Sequence, residues 1–280
     1  MKKYLELTKF EHTIFALPFA LASLVILYKD MPSFWKFFWM LCAFISARTA
    51  GMALNRLIDL PIDRLNPRTK DWVHAKGEVS QEEIKRLIFI SSLIFLFSAL
   101  MINFYAFLLA PLVLFLLWFY PYAKRITYYP HLVLGVVYLL IPLAVDIAFN
   151  ERVSLTSFLL GLAMGFWVAG FDILYALQDY EFDKAYGVKS LPVKLGVEGS
   201  LMIARLFHTL TFFLLLNLLF KVDFLGILYL LGLLAIGGFL YYEHSLIKPY
   251  DLSRINKAFF TVNGYISVVF FLVVLLDRIF

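Results

Sequence analysis

Cysteine is almost absent from this chain. Cys42 is the single thiol in 280 residues, so an intrachain disulfide is excluded and no CxxC pair exists to hold zinc. Histidine is scarce too. The five, at 12, 74, 131, 208 and 244, show no HExxH or other ligand spacing and are read as packing or interface residues. Charged residues make up only 16% of the chain, and no low-complexity tract or linker interrupts it. These shortages exclude an ordinary soluble domain, a disulfide scaffold and a zinc module.

Apolar surface fills the space instead. Hydrophobic residues are 62% of the chain, aromatics 18%, and the mean hydropathy is +0.83. A helix needs about 20 mostly apolar residues to cross a bilayer. About nine runs qualify, roughly 12–28, 34–54, 87–105, 106–122, 131–149, 155–177, 201–220, 224–242 and 258–276. The third and fourth are separated only by a short break near Asn103–Tyr105. Runs this continuous favour helices over barrel strands, which alternate every second residue. The N-terminal Lys2, Lys3 and Ala20-Leu21-Ala22 also mimic a signal peptide, but eight further spans make a first membrane anchor the better reading. The expectation is one all-α polytopic domain over residues 1–280.

Basic residues set the expected orientation. With the N-terminus inside, eighteen Lys and Arg fall in the segments on that side and five on the other; Arg48 and Arg205 lie within spans. The N-terminus is therefore expected in the cytoplasm. The two longest loops, 55–86 and 178–200, are separated by four spans and share that side. "SQEE" at 80–83 has the form of a capping box opening the third span.

Into the first loop the chain gathers six charges in sixteen residues, "NRLIDLPIDRLNPRTK" at 55–70. Asn55, Asp59 and Asp63 recur every four residues. The second loop opens "DILYALQDYEFDKAYGVKS" at 172–190, where Tyr175, Asp179 and Asp183 do the same at a constant offset of 120 residues. A basic residue follows each set, Arg68 and Lys189. Spacing of four places side chains on one helix face, a turn apart, and adjacent carboxylates repel without a cation. Mg²⁺ takes oxygen ligands and keeps phosphate among them, and nearby Arg and Lys would meet phosphate oxygens. The alternative is a solvated helix whose acids and bases pair with one another. Two matched motifs on one side, each ending an apolar span, favour a metal–diphosphate site. Pro61, between Asp59 and Asp63, is expected to strain that geometry.

These motifs resemble the UbiA family of intramembrane aromatic prenyltransferases. NxxxDxxxD stands as Asn55, Asp59 and Asp63; DxxYxxxDxxxD stands as Asp172, Tyr175, Asp179 and Asp183. "YPYAKRITYYPHLVLG" at 120–135 and "GVKSLPVKLG" at 187–196 are similar to further family segments, and the resemblance spans nearly the whole chain. It implies about nine transmembrane helices in one bundle around a central cavity, in the inner (cytoplasmic) membrane, with a cytoplasmic mouth. The implied reaction moves a polyprenyl group from its diphosphate to an aromatic acceptor. Asn55, Asp59, Asp63, Asp179 and Asp183 are the implied Mg²⁺ ligands. Lys9, Arg48, Arg68, Lys124, Arg125 and Lys189 are the candidate substrate-binding bases. Tyr175 is the candidate cation stabiliser and Asp172 the candidate proton acceptor.

"EHTIFALPFA" (11–20) and "ARTAGMALNR" (47–56) look most like the branch named for 4-hydroxybenzoate in quinone synthesis, for ubiquinone or menaquinone; 1,4-dihydroxy-6-naphthoate is the alternative acceptor. Haem, chlorophyll and archaeal-lipid prenylation are rivals within the family, and an ion-coupled transporter is the rival outside it. Two departures touch acceptor contacts: "KDWVHAKG" replaces an Arg-Pro-x-Pro-x-Gly run, with Lys70 or Lys76 as substitute charges, and Lys9-Phe-Glu-His12-Thr replaces Arg-x-x-Lys-Pro. The expected partners are the two substrates and the lipid bilayer, with no nucleic acid and no obligate protein.

Overall fold

A computed structural model describes residues 2–9 and 13–280; Phe10, Glu11 and His12 of the departing N-terminal segment lie outside them. The chain is helical, and no strand occurs among the described residues. In order, α1 is Lys2–Leu7, α2 Thr13–Leu27, α3 Phe34–Asp63, α4 Gln81–Ile102, α5 Phe104–Ile126 and α6 Pro130–Asn150. There follow α7 Leu155–Ala176, α8 Tyr180–Tyr186, α9 Leu191–Leu218, α10 Ile227–Leu246 and α11 Asn263–Ile279. Among the described residues eight helical stretches are long and apolar enough to cross a membrane, and Phe15–Leu27 is a shorter apolar one. That matches the expected count of about nine.

The residues gather into two compact units. The first comprises Met1–Thr13 and Pro32–Ile126. Its α3 runs unbroken for 30 residues through Pro61. Proline removes one backbone donor and crowds the preceding turn, yet the helix continues past it to Asp63. Pro61 therefore neither ends nor restarts α3, and Asn55, Asp59 and Asp63 keep one helix. Ser80 and Glu83 form the expected capping box: the Glu83 N–H donates to Ser80 Oγ at 3.2 Å, and the Ser80 N–H to Glu83 Oε2 at 2.8 Å. The other Glu83 oxygen accepts from Lys3 Nζ at 2.8 Å and the Tyr4 hydroxyl at 2.9 Å, pinning α1 to the start of α4. That contact holds the Lys3 ammonium above its ordinary range. The break between α4 and α5 falls on Asn103, which is fully extended and whose side-chain oxygen accepts from the Ala106 N–H at 2.8 Å to start the next helix.

The second unit comprises Ile14–Met31 and Thr127–Phe280. Its α6 and α7 approach so closely that side chains are excluded. A Cβ on Gly135 would lie 2.8 Å from the Gly165 carbonyl oxygen, one on Gly165 2.9 Å from that of Gly135, and one on Gly161 2.6 Å from that of Leu139. Helices in lipid gain no hydrophobic drive from meeting each other, so close packing over small residues takes its place. The far end of this hairpin is tied by buried Asp146, which accepts from Asn150 Nδ2, the Ser154 N–H and the Ser154 hydroxyl at 2.6–2.8 Å. Asp277 likewise accepts from the Gly226 and Tyr229 N–H groups at the N-terminus of α10, where an anion is favoured. Asp146 and Asp277 thus each tie helix ends together. Large apolar side chains such as Phe89, Phe97, Phe104, Phe115, Phe213 and Leu234 are exposed, as a lipid-facing surface requires.

Candidate active site

Each unit carries one of the two acidic motifs. In the first, Asn55, Asp59 and Asp63 lie on the last turns of α3, Asp59 and Asp63 buried. Asp59 Oδ2 accepts from Lys124 Nζ at 2.7 Å and from Asn55 Nδ2 at 3.0 Å. The Asn55 oxygen accepts from Arg56 Nη1 at 3.2 Å, so the amide is oriented from both ends. Asp59 Oδ1 is buried and has no hydrogen-bond partner. An unsatisfied carboxylate oxygen is costly, and a cation is the partner that suits it. Asp63 Oδ2 lies 2.8 Å from His74 Nε2, and the Asp63 backbone carbonyl accepts from the Thr69 hydroxyl at 2.9 Å.

Three cations surround the indole of Trp72: Arg56 at 4.3 Å from the ring centroid, Lys9 at 5.2 Å and Arg68 at 5.2 Å. Aromatic faces attract cations electrostatically, and gathering three beside the acidic motif makes this end of the unit anion-attracting. Trp72 and His74 belong to "KDWVHAKG", the segment that departs from the family pattern. Lys76, offered above as a substitute charge, faces Asp71 at 3.3 Å, while Lys70 is exposed. Arg48 is used inside the unit: its guanidinium donates to the Lys9 carbonyl at 2.9 Å and to the Thr13 hydroxyl at 3.1 Å. Arg125 donates to the Ile58 carbonyl at 2.7 Å and packs over the Tyr122 ring.

The second motif has a different backbone. Asp172 and Tyr175 lie on α7, but Leu177–Asp179 is a tight 3₁₀ turn, and Asp183 sits on the short α8. The four-residue spacing therefore does not run along one continuous α-helix here as it does on α3. Asp172 Oδ2 lies 2.6 Å from His131 Nδ1. The Leu191 N–H approaches His131 Nε2 at 3.4 Å. A backbone N–H only donates, so Nε2 carries the lone pair and Nδ1–H donates to Asp172. Lys189 packs over Tyr128. Tyr175 is half-buried against Phe259, with ring centroids 4.1 Å apart.

Comparison with known proteins fits this arrangement. The sequence profile of the UbiA prenyltransferase family matches residues 16–272. The chain belongs to that family. Among its curated UbiA-family relatives, the 4-hydroxybenzoate octaprenyltransferases of Salmonella paratyphi B and Salmonella newport are each 30% identical over 239 residues, covering 84% of this chain and 81% of theirs. Among solved structures, the apo UbiA homologue from Aeropyrum pernix K1 is 32% identical with a TM-score of 0.85, covering 95% of this chain and 98% of that one. A UbiA homologue from Archaeoglobus fulgidus, bound to GPP and Mg²⁺, has the same fold at 22% identity and a TM-score of 0.78, covering 99% and 100%.

Reading the UbiA motifs alone missed His74 and His131, each hydrogen-bonded to a motif carboxylate. Their separations in sequence from those partners, 11 and 41 residues, leave no local spacing to notice. Among the described residues no three carboxylate, imidazole or thiol groups converge to hold an ion by themselves. Any bound metal therefore needs oxygens from amide, water or substrate to complete its shell.

Proposed function

We propose that this UbiA-family enzyme transfers a polyprenyl group from polyprenyl diphosphate to an aromatic hydroxy acid of the 4-hydroxybenzoate type, in quinone synthesis. The observation that carries the reading is Asp59, a buried carboxylate with one oxygen held by Lys124 and the other left without a partner. The relatives named for 4-hydroxybenzoate support the acceptor class.

The donor set suits Mg²⁺, the ion in the Archaeoglobus structure. We assign Asn55, Asp59 and Asp63 of the first motif as ligands of such an ion, and Asp179 and Asp183 of the second motif likewise. When bound, Mg²⁺ neutralises charge on the diphosphate. Lys124, Arg68, Lys9 and Lys189 bind phosphate oxygens and stabilise the negative charge that grows as the prenyl C1–O bond breaks. The electron pair of that bond leaves with diphosphate, and an allylic cation remains. The Tyr175 ring face stabilises that cation by about 0.5–2 kcal/mol. The acceptor's ring carbon ortho to its hydroxyl supplies the pair for the new C–C bond. Asp172 then takes the proton from that carbon, with His131 Nδ1–H fixing the carboxylate in place. Arg125 binds the acceptor carboxylate, and Arg48 orders the N-terminal segment that carries Lys9. The mouth and the N-terminus face the cytoplasm.

The test is diphosphate release by the purified protein with prenyl diphosphate and Mg²⁺, with and without acceptor. Release that depends on 4-hydroxybenzoate supports the reading. Release that depends on 1,4-dihydroxy-6-naphthoate instead moves the acceptor to the menaquinone alternative. No release with any aromatic acid refutes the reading and favours a transport role.

A further inference from the structure

The second unit contains a buried polar network that the reaction above does not use. Asn263, at the start of α11, is fully buried. Its side-chain oxygen accepts from Trp167 Nε1 at 2.7 Å. Its amide nitrogen donates to Glu243 Oε1 at 2.6 Å and to the Ala258 carbonyl at 3.2 Å. Glu243 is buried as well, and its other oxygen lies 3.4 Å from His208 Nδ1. His208 Nε2 faces the Trp167 carbonyl at 3.2 Å. Gly170 makes room for that imidazole, since a Cβ there would come within 2.4 Å of the ring. Two helices, α7 through Trp167 and α10 through Glu243, are thus hydrogen-bonded to one amide at the head of α11, and His208 of α9 lies beside both partners.

The position of that amide has a local consequence. Lys257–Val262, directly before it, is a π-helical turn. Such turns are rare, cost backbone order and concentrate at functional sites. The wide turn carries Ala258, Phe259 and Val262 all into the interior, and Asn263 closes it through the Ala258 carbonyl. Phe259 is the residue delivered. Its ring lies 4.1 Å from Tyr175, 5.3 Å from Phe171 and 5.4 Å from Phe15. Phe260 meets the edge of Tyr175 at 6.2 Å. A buried amide anchored on three sides is an expensive way to end a membrane helix unless the turn it fixes matters.

We propose that Asn263, held by Trp167 and Glu243, is a positioning residue: it locks the π turn that sets Phe259 against Tyr175 and so fixes the aromatic face presented to the reacting cation. This rests on the prenyl-transfer reading for the role of Tyr175, but not for the geometry. Two consequences follow. Loss of Asn263 lowers kcat rather than substrate binding, because no substrate group touches it. Asn263 also acts through Phe259, so losing both costs no more than losing one.

The experiment is steady-state kinetics on the full chain in lipid nanodiscs. Asn263→Leu, with the same branched outline and no polar group, is expected to lower kcat at least tenfold while both KM values stay within threefold. Phe259→Ala lowers kcat similarly, and the double variant is no slower than the slower single. Glu243→Gln keeps the oxygen that Asn263 needs and retains at least a third of wild-type kcat, whereas Glu243→Leu does not. If Asn263→Leu fails to fold, Asn263→Ala, which deletes the amide without adding bulk, enters the same cycle. Wild-type kcat in the folded variant, or a double variant slowed by the product of the singles, overturns the proposal. A second readout needs no turnover. In a Cys42→Ala background, Tyr175→Cys and Phe259→Cys together are expected to be joined by a bifunctional thiol reagent that spans the space the two rings leave, and adding Asn263→Leu to slow this crosslinking at least tenfold. An unchanged crosslinking rate overturns the proposal even if the wild type transfers no prenyl group, which is the separate failure of the functional reading.

Discussion

Replacing Asp59 by Asn separates the two jobs its oxygens do. The change removes one negative charge at nearly constant volume. Asn has one carbonyl oxygen, and that oxygen will turn to the side where Lys124 Nζ and Asn55 Nδ2 approach, 2.7 and 3.0 Å from Oδ2. The other arrangement would set an NH₂ against two donors. Both contacts therefore survive: the Lys124 bond keeps its charged donor but loses the ion pair, and the Asn55 bond falls to ordinary strength. Such bonds are worth about 1.5–3 kcal/mol with a charge and about 0.5–1.5 without, so the stability loss should be about 1–2 kcal/mol and the protein should still fold. At the Oδ1 position the outcome differs. A buried oxygen without a hydrogen-bond partner becomes an NH₂ group, which cannot ligate a cation. If that oxygen serves Mg²⁺, turnover should fall by about 10²–10³, the scale for losing one electrostatic stabiliser of a leaving group. Thermal unfolding in detergent would be measured beside initial rates across a Mg²⁺ titration. A variant that unfolds as the wild type does and reaches wild-type rate at saturating Mg²⁺ would refute the assignment. A variant that fails to fold would refute the claim that Asn satisfies both donors.

Other consequences can be checked separately. Asp179→Asn should also abolish turnover without preventing membrane insertion, read as diphosphate release from purified protein. Arg125→Ala should raise KM for the aromatic acid roughly ten- to a hundredfold, a loss of about 1.5–3 kcal/mol, and leave KM for prenyl diphosphate nearly unchanged; a change confined to the diphosphate would reverse that assignment. Gly165→Ala puts a methyl 2.9 Å from the Gly135 carbonyl and should cost about 1–3 kcal/mol by overpacking, seen as a lower melting temperature in detergent. Cysteines placed at 65, exposed where the neighbouring Asn66 is buried, and at 186 in a Cys42→Ala background should both label from the cytoplasmic side, and labelling of either from outside would overturn the orientation.

The features visible in the sequence were those made by neighbours along the chain. Four-residue spacing put Asn55, Asp59 and Asp63 on one helix because helical periodicity is local. Ser80 with Glu83, and the break at Asn103, were legible for the same reason. Local rules misjudged Pro61, past which α3 continues to Asp63, and Asp179, where a 3₁₀ turn interrupts the repeat. Contacts across helices left no trace. His74 and His131 read as packing residues because nothing near them in sequence names Asp63 or Asp172 as partner. Asn263, Glu243 and His208 looked like isolated polar residues in apolar runs, and only the packing of four helices joins them. Gly135 and Gly165 could have been suspected, since Gly161 and Gly165 have the four-residue spacing of close-packed membrane helices.

The most direct test of the account is the product itself. Purified protein incubated with a polyprenyl diphosphate, 4-hydroxybenzoate and Mg²⁺ should yield, by mass spectrometry, an acid heavier by one prenyl group less one hydrogen, with fragmentation placing the prenyl group on ring carbon ortho to the hydroxyl. Chelating the metal should abolish it, and Asp59→Asn should reduce it in step with its rate. Release of diphosphate with only prenyl alcohol formed, or a prenyl group found on oxygen, would contradict the account.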